Sequence, residues 1–491
     1  MSPGITSSPI IKDTGILLAP DSRRVLLRPC LPANPARIGQ IISRVMALGE
    51  PAAEKELRTI MHCFSARHHH FEALLERQFE VVRAFLPFEV APSRTQKLLI
   101  GSYFLAEYSY ESTALFNPSI IQHPDQSGVP RGSLRLIISL RAIGEGHISS
   151  LAFRSGSIGA DGHISIDNNY HFACPANLKP NALYDKTLFV RKLYEMGLEN
   201  DCSKFITEPL PDEFTMAELQ EKVAAWITVH QPIAQAVKLL TCDKILWLAQ
   251  CNYEAVFDPL LLLSERVLLP LSPSEQNGME DARFVLFTDD DGSKKYYATY
   301  TAYDGRVILP QIMETEDFIC FKMITLNGPA AVNKGMALFP RKINGRYAMI
   351  SRNDNENLFL MYSDNLHFWH EAVPLMKPLY PWECVQIGNC GSPLETERGW
   401  LLLTHGVGPL RQYSIGAILL DRENPARILG RLREPLIRWD EKNRSGYVPN
   451  VVYSCGSLIH GDNLVVPYAF SDHRTAIALA SLRELTDEIL K

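Results

Sequence analysis

Apolar residues change their spacing once along the chain, near residue 92. Before that point they recur three and four apart. Ile38, Ile41, Ile42 and Val45 share one face; Leu57, Ile60, Met61, Phe64, Phe71, Leu74 and Leu75 share another, with Pro51 between the two runs. Such a period marks amphipathic helices that pack an apolar stripe on a neighbour. An extended segment, residues 16–32, precedes them. After Pro92 the runs are short, alternating and bounded by Gly, Asn, Asp and Pro, the pattern of strands and turns.

The strand runs fall into five groups on one plan, each ending its second strand in a polar group. The first is ALFNPSII (114–121), LRLIISLRA (134–142) and HISSLAFRSG (147–156); the second is MEDARFVLF (279–287), KKYYATYTAY (294–303) and FICFKMITL (318–326). The third is MALFPRKI (336–343), RYAMISR (346–352) and NLFLMYSD (357–364), and the fourth is NCGSPLET (389–396), GWLLLTHG (399–406) and QYSIGAILLD (412–421). VPNVVYSCGSLI (448–459), DNLVVPYAFSD (462–472) and TAIALASL (475–482) make the fifth. Sheets this small cannot bury both faces alone, and a radial arrangement solves that. The predicted fold is an all-β core, a five-bladed β-propeller. An N-terminal helical extension covers 1–95, blade 1 covers 96–180, a helical insertion covers 181–248, and blades 2–5 cover 249–491.

The insertion begins at Asn181. Leu219, Val223 and Trp226 give it helical spacing, and Ile233, Val237 and Leu240 continue its apolar content after Pro232. Two roles stay open for it: capping the central funnel and so limiting acceptor length, or self-association into a homo-oligomer.

Composition narrows the function. The chain has 491 residues, 46% of them hydrophobic, and a net charge of −6 without a basic block, so nothing electrostatic points to nucleic acid. No apolar run reaches the roughly 20 residues that span a bilayer, and the N-terminus lacks a secretory pattern. Ten scattered cysteines without a CxxC read as free thiols of a cytoplasmic protein. His68, His69 and His70 read as an exposed helix face, because consecutive helical side chains point about 100° apart and cannot share a metal ion. No metal or cofactor is expected.

In a propeller one end of every inner strand meets the central funnel. Those positions are Asn117, Ser119, Glu280, Asp281, Arg283, Asn389, Ser392 and Asn450, and the second strands end at Arg141, Tyr303, Arg352, His405 and Asp472, with Lys334 ahead of the third group. Amides, hydroxyls and an aromatic ring suit sugar hydroxyls; Arg, Lys and His together suit a phosphate or carboxylate.

The motifs FNPS, NGMEDAR, NKGMALFPRKINGRYAMISR, LLTHG, IGAILLD and VPNVVYSCG, in that order over residues 114–482, resemble the blade motifs of glycoside hydrolase family 130. The resemblance implies a five-bladed propeller and an inverting β-mannoside phosphorylase that uses inorganic phosphate as co-substrate and releases mannose 1-phosphate. β-1,2-Mannosidases and β-mannosyltransferases are related alternatives. It implies Asp281 as general acid; Lys334, Arg352, His405, Tyr413 and Asp472 on the phosphate side; and Asn117, Ser119, Arg141 and Glu280 around the mannose, beside which Arg283 and Tyr303 complete the substrate set. One departure is that the family's phosphorylases carry a further arginine just before the Asn-Lys step, where this chain has Val332 and Asn333; that leaves hydrolysis open.

An inverting hydrolase needs a second carboxylate about 6.5–9.5 Å from the acid to activate water. A phosphorylase needs only cations to hold its anionic nucleophile in line. The grouped cations favour phosphorolysis, and an acid shared with Glu280 is expected to have a raised pKa. The plain alternatives are a surface pair of Arg352 with Asp354 or Glu356, a solvated Lys334, and a satisfied core histidine at 405. A different class, a non-catalytic propeller binding a glycan or a protein, would not need Asp281 inside an intact motif.

Overall fold

The computed structural model describes residues 8–87, 91–168, 172–179, 182–229, 235–440 and 446–491. Helix α1 (Pro35–Met46) starts where Asn34 accepts the Ala36 N–H and Pro35 fills the first turn, and it buries Ile38, Ile42 and Val45. Helices α2 (Glu50–Phe64), α3 (Phe71–Val82) and α4 (Arg94–Ser102) complete the N-terminal group. The second apolar run, read as one stripe from 57 to 75, breaks between Ser65 and His70, where His70 takes a left-handed φ of 50°. The exposed histidine face expected there is therefore absent. His68 is 5% exposed and 2.9 Å from Glu107, while His69 lies 3.0 Å from Glu265 and stacks on Phe172. Helix α4 lies beyond the expected change to strands, begun by a Ser93–Gln96 capping box.

The rest is an all-β core of several antiparallel sheets, with a helical insertion. In chain order the strands are β1 (Ile11–Leu18), then β2 (Ala114–Gln122), β3 (Leu134–Ile143) and β4 (Ser149–Ile158) of the first group. The second group is β5 (Gly278–Thr288), β6 (Lys294–Tyr303), β7 (Ile308–Thr315) and β8 (Cys320–Thr325). The third is β9 (Lys334–Leu338), β10 (Tyr347–Arg352), β11 (Leu358–Ser363) and β12 (Ala372–Met376). The fourth is β13 (Gln386–Asn389), β14 (Gly399–Val407), β15 (Tyr413–Leu420) and β16 (Ile428–Arg431), and the fifth is β17 (Val452–Tyr453), β18 (Asn463–Phe470) and β19 (Arg474–Ser481).

Four of these groups carry a strand that the alternation did not reveal. Strand β7 contains Pro310, which masks it as a strand by composition, and β12 and β16 are short outer strands. The fifth group gains β1, which pairs antiparallel with β19 from Ile11↔Ala480 to Leu18↔Thr475. Its partner is at the far end of the chain, so no local pattern signals it. The first two groups are not separate sheets: Gly278 pairs with Ser149 and joins them. A side chain at Gly278 (φ 126°) would lie 2.5 Å from the Ser149 Cβ, so only glycine makes this junction.

Four inner strands succeed one another in space: β2 lies against β5, β5 against β9 and β9 against β13. The fifth group joins them through other strands, β18 lying against β2 and β17 against β15. Between the first and second groups come α5 (Lys186–Glu195), α6 (Asp201–Thr207), α7 (Met216–Val229) and α8 (Gln235–Gln250), with their own core around Phe189, Phe214, Trp226 and Ile245. Asn181, Pro232 and Ile233 lie outside the described residues. Among the described residues no helix is long and apolar enough to cross a membrane.

Candidate functional site

A backbone irregularity repeats at the mouths of the first three inner strands. Pairing of β2 with β3 breaks between Phe116 and Ser119, of β5 with β6 between Glu280 and Arg283, and of β9 with β10 between Lys334 and Ala337. At the first lifted position stand Asn117 (φ 47°), Asp281 (φ 56°) and Gly335 (φ 83°), all left-handed. Asn, Asp and Gly tolerate that conformation best, and such bulges re-aim a side chain where a regular ladder could not. This is why the polar residues noticed in the sequence converge.

The bulges bring together one half of the site. Asn117 Nδ2 donates to Asp281 Oδ1 at 2.6 Å. Arg141 sits 2.8 Å from Glu280 and 3.6 Å from Asp281, and Lys334 Nζ reaches Glu280 Oε2 at 2.6 Å. Lys334 also lies over the Tyr303 ring, whose hydroxyl donates to the Gly305 carbonyl. Beneath them Arg283, 2% exposed, donates to the Asp281 carbonyl and to the Tyr453 hydroxyl at 2.7 Å. Ser119 is fully buried, and its hydroxyl accepts the Phe284 N–H. Arg283 and Ser119 are thus buried and engaged with neighbouring protein groups, which suits bracing of the site better than direct contact with a sugar.

The other half follows from Tyr453. Its ring lies 4.9 Å from His405, which stacks on Tyr413 and lies 3.3 Å from the Arg352 guanidinium. Gln386 lies against the same guanidinium, and its amide oxygen is assigned to that side because the opposite orientation would set donor against donor. Arg352 thus faces His405 and Gln386, and the surface pair with Asp354 or Glu356 does not form, since Asp354 accepts from the N–H groups of Glu356 and Asn357. Lys334 is paired with Glu280, so it is no solvated loop lysine. Tyr453 was missed as a single residue, although it stands inside VPNVVYSCG.

Two charge expectations are overturned. Burial alone would push the Asp281 carboxyl up, but Arg283, Arg141 and Lys334, with the Asn117 hydrogen bond, outweigh it and hold it below its ordinary range. A raised acid was expected from the Glu280 neighbour; Arg141 and Lys334 neutralise that carboxylate instead. His405 is driven well below its ordinary pKa by burial and by Arg352 and Arg283, so it is neutral, not the third cation. Its Nδ1–H donates to the Asn389 carbonyl at 3.2 Å, which leaves Nε2 as an acceptor toward Arg352.

Asp472 is the group whose proton is held near neutrality. Burial lifts its carboxyl to about 6, against the pull of Arg141 and with a push from Asp281. The unfolded chain releases this proton near pH 4, so the fold loses stability as pH rises from about 4 through 6. Asp472→Asn, which keeps a residue tolerant of φ 47°, is expected to flatten that fall and raise stability at pH 7 by on the order of 2 kcal/mol. Urea midpoints at pH 4 and pH 7 check it; equal pH slopes in the two proteins would exclude the raised carboxyl.

Among the described residues no group of three or more His, Cys, Asp and Glu side chains is placed to hold a metal ion. The arrangement is a pair of carboxylates with an amide and two cations, joined through Arg283 and Tyr453 to an open arginine and a neutral histidine.

Sequence comparison identifies the scaffold. Residues 251–491 match the family model described as β-1,4-mannooligosaccharide phosphorylase, glycoside hydrolase family 130. A 1,2-β-oligomannan phosphorylase of Thermoanaerobacter sp. (strain X514) is 32% identical over 234 residues, 45% of this chain and 75% of that protein. A β-1,4-mannooligosaccharide phosphorylase of Ruminococcus albus is 31% identical over 217 residues, 42% and 63% of the two chains. The solved β-1,2-mannobiose phosphorylase of Listeria innocua superposes with a TM-score of 0.45 at 18% identity, covering 77% of this chain and 92% of that one. The chain belongs to glycoside hydrolase family 130. The family match begins at residue 251, so Asn117, Ser119 and Arg141 lie outside it, and it is geometry that brings them to the site.

Proposed function

We propose that this chain is an inverting β-mannoside phosphorylase built as a five-bladed propeller, the succession of four inner strands, with the fifth group lying against the first and the fourth, being the feature that supports the propeller. Asp281 is the general acid; Asn117, Arg141, Glu280 and Tyr303 hold the mannose; Arg352, His405, Tyr413, Lys334 and Asp472 face inorganic phosphate. Arg283 and Ser119 act from beneath. The observation that carries this reading is the continuous contact from Asp281 through Arg283 and Tyr453 to His405 and Arg352, which sets a carboxyl and an anion-holding arginine on one site.

The proton balance suits the charges found. Asp281 is ionised before phosphate binds; dihydrogen phosphate at Arg352 offsets the surrounding cations and yields one proton to it. The hydrogen phosphate that remains attacks the anomeric carbon, the glycosidic C–O bond breaks as Asp281 gives its proton to the leaving oxygen, and mannose 1-phosphate keeps the second proton. No cofactor is needed. A second reading, β-mannoside hydrolysis, is favoured by one observation: Asp472 is a further buried carboxyl that feels the Asp281 charge and is available as a water-activating base.

Incubation with β-mannobiosides, with and without phosphate, separates the readings. Mannose 1-phosphate formed only when phosphate is present is the expected result. Free mannose in its absence would establish the hydrolase, and no product from β-1,2 or β-1,4 substrates would overturn both.

A further inference from the structure

Three inner strands are led in by a buried glutamate at one offset. Glu111, Glu275 and Glu383 stand three residues before the first residues of β2, β5 and β13, and each is 0% exposed. In the second and fourth groups this carboxylate ties down the loop ahead of the strand. Glu275 Oε2 accepts the N–H groups of Leu271 and Ser272 at 3.1 and 3.2 Å, and Glu383 Oε1 accepts those of Leu379 and Tyr380 at 2.8 and 3.0 Å. Ser272 and Tyr380 each lie six residues before their strand.

The third group has no such acid, for Ala331 occupies the position three residues before β9. The N–H six residues before β9 belongs to Gly328, and it donates at 2.6 Å to Glu195 Oε1, from helix α5 of the insertion. Lys192, one turn earlier, donates to the Leu326 carbonyl at 2.8 Å and pairs with Glu195 Oε2 at 3.1 Å. A side chain at Gly328 (φ 99°) would lie 2.0 Å from the Trp369 carbonyl oxygen, so residue 328 cannot carry an acceptor of its own.

This loop is wired to the cations. Asn353, next to Arg352, donates to the Ala330 carbonyl at 2.9 Å, and Asn333, next to Lys334, donates to the Asn353 carbonyl at 3.3 Å. Lys334 and Arg352 are themselves register partners.

We propose that the helical insertion is a positioning element for two cations of the site: Glu195, supported by Lys192, supplies from outside the third sheet the carboxylate that this sheet lacks and thereby sets Lys334 and Arg352. This role differs from capping and from self-association, and it rests on the reading that these two cations hold phosphate.

The test uses the full chain with Glu195→Ala and Glu195→Gln. Amide hydrogen exchange of residues 326–334, KM for phosphate, KM for the mannoside and the melting temperature are measured together. In Glu195→Ala, exchange is expected to rise within 326–334 and KM for phosphate to rise about tenfold, the effect of one partly buried charge-assisted hydrogen bond, with mannoside KM changed less than about twofold. Glu195→Gln, which keeps one acceptor oxygen, is expected to recover most of the loss. Unchanged exchange in Glu195→Ala overturns the proposal, as does faster exchange with unaltered phosphate KM, or equal damage in both variants with a lowered melting temperature. If the wild-type protein shows no phosphate-dependent turnover, the functional reading fails separately. The exchange data and calorimetric binding of inorganic phosphate then decide whether Glu195 positions the loop.

Discussion

Asp281→Asn is expected to fold like the parent and to lose about 10²–10⁴ in kcat, because a positioned acid contributes that much and an amide cannot give up a proton to a leaving oxygen. The fold is kept, with some stability lost because Arg283 and Arg141 lose a neighbouring carboxylate. Asparagine accepts the left-handed φ of 56°, Asn117 keeps an oxygen to donate to, and the Arg283 bonds go to a main-chain carbonyl and to Tyr453. The pH profile distinguishes how the acid is charged. The site holds the free carboxyl below its ordinary range, so an acid that had to be protonated before ligands arrive would lose kcat/KM about tenfold per pH unit across the neutral range. If phosphate delivers the proton, kcat/KM is instead expected to follow phosphate ionisation and stay shallow between pH 5 and 7. Near-parental turnover by Asp281→Asn at any pH would remove Asp281 from the chemistry.

The sequence disclosed the strands whose alternation is strong and hid those whose partners are remote. KKYYATYTAY buries Tyr296, Ala298, Tyr300 and Ala302 on one face and needed no further information. By contrast β1 has a pattern no different from many edge segments, and only its pairing with β19 gives it a place. At the site, residue types at repeated positions announced convergence, but not which way each side chain would turn. Asn117 and Asp281 face each other because both sit on bulges, whereas Ser119 and Arg283, two residues further on each strand, return to the ladder. Charge states were the least legible. His405 looked like a cation among cations, and burial beside two arginines is what makes it neutral.

The buried glutamates also set the largest expected loss of stability. Glu111 joins β2 to its sheet through Arg154, whose guanidinium reaches both carboxylate oxygens at 2.9 and 2.8 Å, and Arg24 approaches at 3.7 Å. All three side chains are at most 1% exposed, so one carboxylate is the counter-charge shared by two guanidinium groups that water cannot reach. Glu111→Gln keeps the shape but leaves both cations without a counter-charge, and breaking a buried pair from one side costs about 3–5 kcal/mol. The expected result is a fall of that size in unfolding free energy by urea titration. Adding Arg154→Met is expected to restore part of it, because the uncompensated charge is then removed as well. A loss below about 1 kcal/mol, the value of a surface pair, would mean that water reaches this cluster after all. Since β2 carries Asn117 and lies directly against β5, the same variant is also expected to loosen the contact between Asn117 and Asp281.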